Sequence, residues 1–113
     1  MTQSPWRRVL SEFVSVASTA EIPKGEMRKV TTGGQQVLIA NDNGKFYAIG
    51  SVCTHMGGPL AEGILEGHEV ECPWHGSRFD VTNGQVKHGP AGRPEPVFEV
   101  RIEANNILLR PKQ

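Results

Sequence analysis

VCTHMGG (residues 52–58) and ECPWHGS (residues 71–77) together contain both cysteines of this chain. A histidine follows each cysteine closely, in the pairs Cys53–His55 and Cys72–His75. The glycines and prolines in and around both stretches predict loops. Because binding sites are often built on loops held by a rigid scaffold, we expect the two pairs to form one site.

Length and composition indicate one small domain. The 113 residues are enough to bury a hydrophobic core without disulfides. Charge is balanced, with 12 basic and 12 acidic residues, so no nucleic-acid or membrane surface is predicted. No apolar run approaches the roughly 18 residues of a membrane span.

The start of the chain does not have the pattern of a targeting signal. Two arginines are followed by an apolar stretch, but Glu12 interrupts it, which argues against a secretory or twin-arginine signal. We therefore expect a cytoplasmic protein, which we also expect to be a monomer. In that compartment two cysteines are more typical of metal ligands or redox groups than of a disulfide.

Outside the two loops the chain has short alternating stretches separated by turns, and no stretch has the periodicity of a helix. Tight turns are predicted at Gly33–Gly34, 41–44 and Asn105–Asn106. The predicted strands are FVSVAS (13–18), MRKVTT (27–32), QVLIAN (36–41), KFYAIGSVC (45–53), PVFEVRIE (96–103) and ILLRP (107–111). This pattern predicts an all-β fold, a small antiparallel sandwich or barrel.

The region rich in glycine and proline predicts a second structural unit within the same domain. We expect a basal β-sandwich made from residues 1–52 and 97–113. Residues 53–96 are expected to form a loop-rich lobe, inserted between its strands, that holds both Cys–His pairs.

Three interpretations of the Cys–His pairs compete. The first is coincidence, with two buried cysteines and two histidines in local hydrogen bonds; the loop setting of both pairs argues against it. The second is a tetrahedral zinc ion, although zinc modules usually pair cysteine with cysteine and histidine with histidine. The third is a [2Fe–2S] cluster with cysteines on one iron and histidines on the other, and it accounts for one ligand of each kind in each loop.

The sequences CTHMGGPL and CPWHGSRFD closely resemble the two cluster-binding loops of Rieske proteins. A third segment, HGPAGRPEP (88–96), resembles the loop of that family that covers the cluster and contains a proline, here Pro90. The resemblance extends along the whole chain. It implies the Rieske fold, with a cluster-binding lobe on a small β-sandwich, and one [2Fe–2S] cluster per chain. The ligands it implies are Cys53, His55, Cys72 and His75.

Several positions depart from Rieske subunits of respiratory and photosynthetic cytochrome complexes. Those subunits have a disulfide between the loops, whereas this chain has Gly58 and Trp74 at the matching positions. We expect Trp74 either to pack between the loops or to face outward. Ser77 keeps a hydroxyl that donates to a cluster sulfur in high-potential relatives, but Phe79 replaces the second donor. A low reduction potential is therefore predicted.

Charge and protonation near the pairs bear on the same potential. No lysine or arginine occurs from Cys53 to Ser77, and we expect the acids there to form either a solvated face or a docking patch for a basic partner. These acids are Glu62, Glu66, Glu69 and Glu71. Because an iron-bound imidazole can lose a proton on oxidation, the potential should fall with rising pH in alkaline solution. His68 is predicted to lie on the surface, and His88 to border the covering loop.

The resemblance implies a one-electron carrier, not an enzyme. A free Rieske-type ferredoxin would take electrons from a flavin-containing reductase and pass them to a terminal oxygenase through the histidine-bound iron, in brief contacts with each. With His55 and His75 used, only His68 and His88 remain for a mononuclear iron, and no second domain is predicted to hold one, so we do not expect an oxygenase site. The alternative is the small subunit of an assimilatory nitrite reductase, which would stay bound to a large sirohaem subunit. A zinc-stabilised binding module, by contrast, would be colourless.

Overall fold

The computed structural model of the protein describes residues 13–112. The predicted absence of a targeting signal concerns residues that lie mostly outside this range. No helix among the described residues is long and apolar enough to cross a membrane. The strands are β1 (Val14–Ser18), β2 (Met27–Thr32), β3 (Gln35–Asp42), β4 (Lys45–Gly50), β5 (Ile64–Glu66), β6 (Glu69–Glu71), β7 (Arg78–Asp80), β8 (Val86–His88), β9 (Val97–Glu103) and β10 (Asn106–Pro111). Two short 3-10 helices, Thr19–Glu21 and Leu60–Glu62, connect them.

Six strands form the larger sheet, in the order β1-β10-β9-β4-β3-β2, and all its neighbours are antiparallel. Two of its hairpins turn at the predicted places. Gly33 and Gly34 both have positive φ, 59° and 78°, and so do Asn43 and Gly44, as two-residue turns between twisted strands require. The all-β antiparallel fold class is confirmed.

The smaller sheet has four short strands in the order β5-β6-β7-β8. Its chain leaves the larger sheet at the end of β4 and returns at the start of β9. These two strands are direct neighbours, paired at Ala48–Phe98 and Ile49–Val97. Residues 51–96 are thus an excursion between adjacent strands, and both ends of the excursion are fixed by the larger sheet.

Strand β3 is buried on both faces. Leu38 and Ala40 pack in a core that also includes both cysteines and residues of the smaller sheet, such as Phe79. Val37 and Ile39 point to the opposite face and pack in the core of the larger sheet. Successive side chains of a strand point to opposite faces, so one apolar run serves both cores.

Three details differ from the sequence-based expectations. The strand predicted to continue to Cys53 ends at Gly50, because the backbone then bends toward the smaller sheet. The last hairpin turns at residues 104–105, one position earlier than predicted, with Ala104 at φ 55°. The lobe contains a sheet as well as loops. The sequence predicts one of its four strands, at GHEVEC (67–72), and misses the other three, because three residues are too few for an alternating pattern to be recognised.

Candidate metal centre

The first Cys–His pair lies at the tip of a hairpin-like loop. A bridge between Val52 and Pro59 forms the base of the loop. Above the bridge the amide of Cys53 donates to the carbonyl of Gly58 at 2.9 Å, and the amide of Gly57 donates back to the carbonyl of Cys53 at 2.9 Å. These two bonds fix the cysteine at the base of a six-residue tip and leave the histidine at its end.

The second pair lies in a tip with the same hydrogen bonds. Its base is the antiparallel pair of β6 and β7. The amide of Cys72 donates to the carbonyl of Ser77 at 2.8 Å, and the amide of Gly76 donates to the carbonyl of Cys72 at 3.2 Å. His75 has a φ of 88° and Gly76 one of 78°, so this tip turns through two left-handed residues. The two ligand loops are therefore built on one backbone plan.

The two tips bring the two cysteines together on one side of the site and the two histidines together on the other. Cys53 and Cys72 are each only 3% exposed and belong to one apolar core. His55 and His75 are both exposed, and their ring centroids lie 5.2 Å apart in an edge-to-face arrangement. The cysteines thus form the buried side of the site, and the histidines form its side toward solvent.

The thiol of Cys72 has a perturbed acidity. Burial raises its pKa, the amide of Trp74, which donates to its Sγ at 3.4 Å, lowers it, and the adjacent Cys53 thiol raises it again. The contact between the thiols indicates that the two sulfurs point at the same small volume. A metal bound there would replace a proton on each sulfur.

The donor set fits a binuclear cluster. Two thiolates and two imidazoles are the Rieske ligand set, and the structure separates them into a buried sulfur pair and an exposed imidazole pair. Among the described residues, no group of three or more His, Cys, Asp or Glu is placed to hold a single metal ion. A two-iron cluster needs only two protein ligands at each iron.

Gly58 keeps space free beside the sulfurs. A Cβ atom at this position would lie 2.6 Å from Sγ of Cys72. The same atom would lie 3.3 Å from Cβ of Trp74, so the two positions that match the disulfide of other Rieske proteins are adjacent. The Trp74 side chain contacts this gap and is also 50% exposed, so it both packs between the loops and faces outward.

The third loop is attached to the second tip. Ser77 is 1% exposed, and its Oγ accepts a hydrogen bond from the amide of Ala91 at 2.9 Å. Its hydroxyl hydrogen remains for an acceptor inside the site. Pro90 itself is exposed, next to the buried Ala91. Phe79 is fully buried in the core that contains the cysteines, and it offers no hydroxyl.

The four acids predicted to form a solvated face or a docking patch have one arginine among them. Arg78 follows the window in which the sequence shows no basic residue, and cross-strand pairing brings it among three of the acids. Its guanidinium lies 2.7 Å from a carboxylate oxygen of Glu66, 3.4 Å from Glu71 and 3.7 Å from Glu69. Only Glu62 of the four acids has no such contact with Arg78. Arg78 therefore offsets one of the four negative charges, and the group as a whole remains acidic.

Two other histidines lie outside the ligand tips. His68 is exposed, as predicted, and contacts the carboxylate of Asp42 across the two sheets. It precedes β6 instead of lying in it. His88 ends β8 and lines an open cavity together with His75. It thus borders the site, at the first residue of the third loop.

Sequence reasoning missed Glu95 and Thr54. Glu95 is 3% exposed, and its Oε2 accepts a hydrogen bond from the amide of Thr54 at 3.0 Å. Burial raises the pKa of Glu95 to about 7, against the lowering effect of that hydrogen bond. An acid between two prolines gave no sign of burial, because the partner is 41 positions away.

The family comparison agrees with this geometry. The model of the Rieske [2Fe-2S] domain matches residues 12–101, which include both tips and the third loop. The chain belongs to the Rieske family. Its cofactor is one [2Fe–2S] cluster, so this prediction is confirmed.

Two groups of curated relatives are similar to this Rieske chain. The ferredoxin subunit of biphenyl dioxygenase from Pseudomonas sp. (strain KKS102) is 39% identical over 98 residues, which cover 86% of this chain and 90% of the relative. Apoptosis-inducing factor 3 of Mus musculus is 36% identical over 96 residues, or 85% of this chain. The match spans only 16% of that longer protein.

Solved structures of ferredoxins have the same fold. The ferredoxin of carbazole 1,9a-dioxygenase from Nocardioides aromaticivorans IC177 superposes with a TM-score of 0.85 at 30% identity, over 88% of this chain and 98% of that one. A protein described as a nitrite reductase (NADPH) small subunit superposes with a TM-score of 0.74 at 16% identity, over 86% of this chain and 96% of that one. The second likeness shows the fold alone.

Proposed function

We propose that the protein is a Rieske-type ferredoxin that carries single electrons from a flavin-containing reductase to a terminal oxygenase. The observation that carries the proposal is the exposed His55–His75 pair, which opens an otherwise buried site to a partner. The ferredoxin subunit of biphenyl dioxygenase supports it by similarity over 90% of its length. A cytoplasmic location and a monomeric state remain predictions.

The proposed ligands are Cys53 and Cys72 at one iron and His55 and His75 at the other. When bound, the cluster supplies reversible uptake of one electron. The chain contributes the rest: buried sulfurs that exclude water on one side, and imidazoles that reach the surface on the other. The Val52–Pro59 bridge and the pairing of β6 with β7 fix the bases of the two tips, so little reorganisation should accompany electron uptake.

Ligand substitution tests this assignment. The variants C53S and H75A should each lose most of the iron and acid-labile sulfide per chain, along with the visible absorption. The matched control is H68A, which removes an exposed histidine outside the tips. Full cluster content in H75A, or equal loss in H68A, would contradict the assignment.

The carrier role predicts that each chain takes up one electron. Anaerobic titration of the loaded protein should take up one electron per chain, and a flavin reductase with NADH should reduce it catalytically. Uptake of two electrons, or no reduction by any reductase of this class, would overturn the carrier role.

Exposed apolar side chains next to the histidines provide a docking surface. Met56 is 62% exposed beside His55, and Trp74 is 50% exposed beside His75. Large side chains of this kind, fully desolvated in a complex, often contribute most of the binding free energy. We assign the contact with an oxygenase to this surface.

Truncation of these side chains tests the docking surface. M56A and W74A should lower the second-order rate of electron transfer to a terminal oxygenase about tenfold, since about 1.4 kcal/mol of lost contact has that effect. The control I102A removes a 43% exposed side chain from β9 in the larger sheet and should leave the rate unchanged. Reduction potentials must match in all three; a rate that falls equally in I102A would contradict the docking surface.

The nitrite reductase alternative has only a shared fold in its favour. A small subunit of that enzyme would remain bound to a large partner through purification. We expect the protein to elute instead as a free, coloured species in gel filtration.

A further inference from the structure

Residues 91–95 contact both ligand tips. At one end the amide of Ala91 donates to Oγ of Ser77, in the second tip. At the other end Thr54, in the first tip, is held twice: its hydroxyl donates to the carbonyl of Arg93 at 2.7 Å, and its amide donates to Glu95. The segment therefore ties the two loops to each other as well as covering them.

Two glycines leave space for Glu95. The amide of Glu95 donates to the carbonyl of Gly84 at 2.8 Å, and a Cβ atom at Gly84 would lie 2.3 Å from the carbonyl of Glu95. On the other side, a Cβ atom at Gly50 would lie 2.6 Å from Oε1 of Glu95. Two glycines thus allow the main chain and the side chain of Glu95 to approach neighbouring backbone closely.

Burial of a carboxylate costs desolvation free energy, which hydrogen bonds or opposite charges must offset. Here the hydrogen bond goes to Thr54, the residue between the proposed ligands Cys53 and His55. Arg93 is the one cation among the described residues that line the adjacent cavity of about 480 Å³, and no ion pair joins it to Glu95 within the described part of the chain. The charge of Glu95 therefore has no neutralising partner there, and it acts on the Cys72 thiol, whose pKa burial raises and this charge raises further.

We propose that Glu95 is a positioning residue, which fixes the orientation of the first ligand tip and whose negative charge lowers the reduction potential of the cluster. The hydrogen bond to Thr54 sets where its two flanking ligands point. The charge opposes the addition of an electron in a region of low dielectric constant, where Coulomb interactions are strong. This role concerns the potential of the protein and goes beyond the choice of its partners.

Two substitutions separate position from charge. E95Q keeps an oxygen that can accept from Thr54 but removes the charge, whereas E95A removes both. E62Q is the matched control, because it removes one exposed charge from the same lobe. The potential of each loaded protein is measured at pH 8.5, with the EPR spectrum of the reduced form and the rate of cluster loss.

We expect an upward shift of the potential in E95Q that exceeds the shift in E62Q, with an unchanged EPR spectrum. In E95A we expect altered g-values and cluster loss at least about tenfold faster, since hydrogen bonds to charged groups are stronger than neutral ones. Failure of E95A to load while E95Q loads normally would have the same meaning.

Two results would overturn the proposal. A shift in E95Q no larger than in E62Q would reject the effect of charge. Wild-type g-values and cluster lifetime in E95A would reject the positioning role. None of these measurements uses a reductase or an oxygenase, so the outcome is independent of the proposed carrier function.

Discussion

At the scale of single residues, the site depends on glycines that leave space for neighbouring side chains. Gly58 leaves the space next to Sγ of Cys72 open, and Gly50 leaves the space occupied by the Glu95 carboxyl group. Neither glycine has a positive φ, so backbone conformation does not explain them. Their role is steric, and it can be tested one methyl group at a time.

Replacing Gly58 with alanine should reduce cluster loading. The added Cβ would lie 2.6 Å from the proposed ligand sulfur and 3.2 Å from Cγ of Trp74, so one of them must move. Overpacking of this kind costs about 1–3 kcal/mol. Iron and sulfide per chain measure the effect, and G92A is the control, because a Cβ there meets no atom within 4 Å. Equal loading of both variants would show that the sulfur has room to shift.

The acidity of Glu95 predicts a pH dependence of stability. Its pKa rises from 4.5 to about 7 on folding, so the folded protein binds the proton more tightly. Stability is therefore greatest below about pH 4.5 and falls as the pH rises toward 7, by about 1–3 kcal/mol after allowance for solvent screening. E95Q should remove this decline. Melting temperatures of E95Q and wild type at pH 5 and pH 8.5 check it: a difference that does not grow with pH contradicts the assignment.

At the scale of elements, the site consists of two hairpin tips with one hydrogen-bond pattern. In each tip the amide of the cysteine donates to the carbonyl of the residue five positions on, and the amide of the residue four positions on donates to the carbonyl of the cysteine. The histidine falls two positions after the cysteine in one tip and three in the other, yet the rings meet. The two tips also differ in backbone conformation. In the first tip Gly57 has a positive φ, whereas in the second tip both His75 and Gly76 do, so the left-handed turn begins at the histidine.

The last hairpin offers a test of backbone strain away from the site. Ala104 adopts φ 55°, which costs an L-residue roughly 1–2 kcal/mol that glycine does not pay. After the extra entropy of glycine in the unfolded chain, A104G should raise the free energy of unfolding by about 0.5–1 kcal/mol. Thermal unfolding measures it, with unchanged potential and spectrum as the control. A lower melting temperature would show that the turn is not strained.

At the scale of the whole molecule, charge is balanced overall, whereas the four acids near the site have one arginine among them. The chain has 12 basic and 12 acidic residues, and Arg78 lies among three of the glutamates that the sequence alone leaves uncompensated. Arg78 weakens the field of this acidic surface, so electrostatic steering should be weaker than four uncompensated glutamates would give. Tight contact with a partner should still rest mainly on the apolar side chains around the histidines.

Substitution of Arg78 should change that balance. R78Q leaves Glu66, Glu69 and Glu71 without their cation, so the rate of electron transfer to a partner should depend more steeply on salt. Steering by charged patches changes association rates by about 10- to 1000-fold, and the wild-type rate, with Arg78 in place, should vary less with salt than that of R78Q. Stopped-flow rates across a range of ionic strength measure this. R101Q, in an exposed pair on β9, is the control; identical salt dependence in R78Q and R101Q would place the patch outside the docking surface.

The sequence by itself determined the fold class, the family and the four candidate ligands, because these depend on local signals. Alternation, turn residues and the spacing of Cys and His act over a few neighbouring positions. Gly33–Gly34 and the turn at 41–44 were predictable for this reason, and both occur where expected.

Only the tertiary structure decided which distant groups meet. Arg78 joins the acids because β6 and β7 pair, and Glu95 reaches Thr54 because β4 and β9 are neighbours in the larger sheet. Burial raises the pKa of Glu95. Burial is a property of the whole packed chain and not of any short segment of sequence. Contacts across 41 positions are set by sheet topology, which no local pattern encodes.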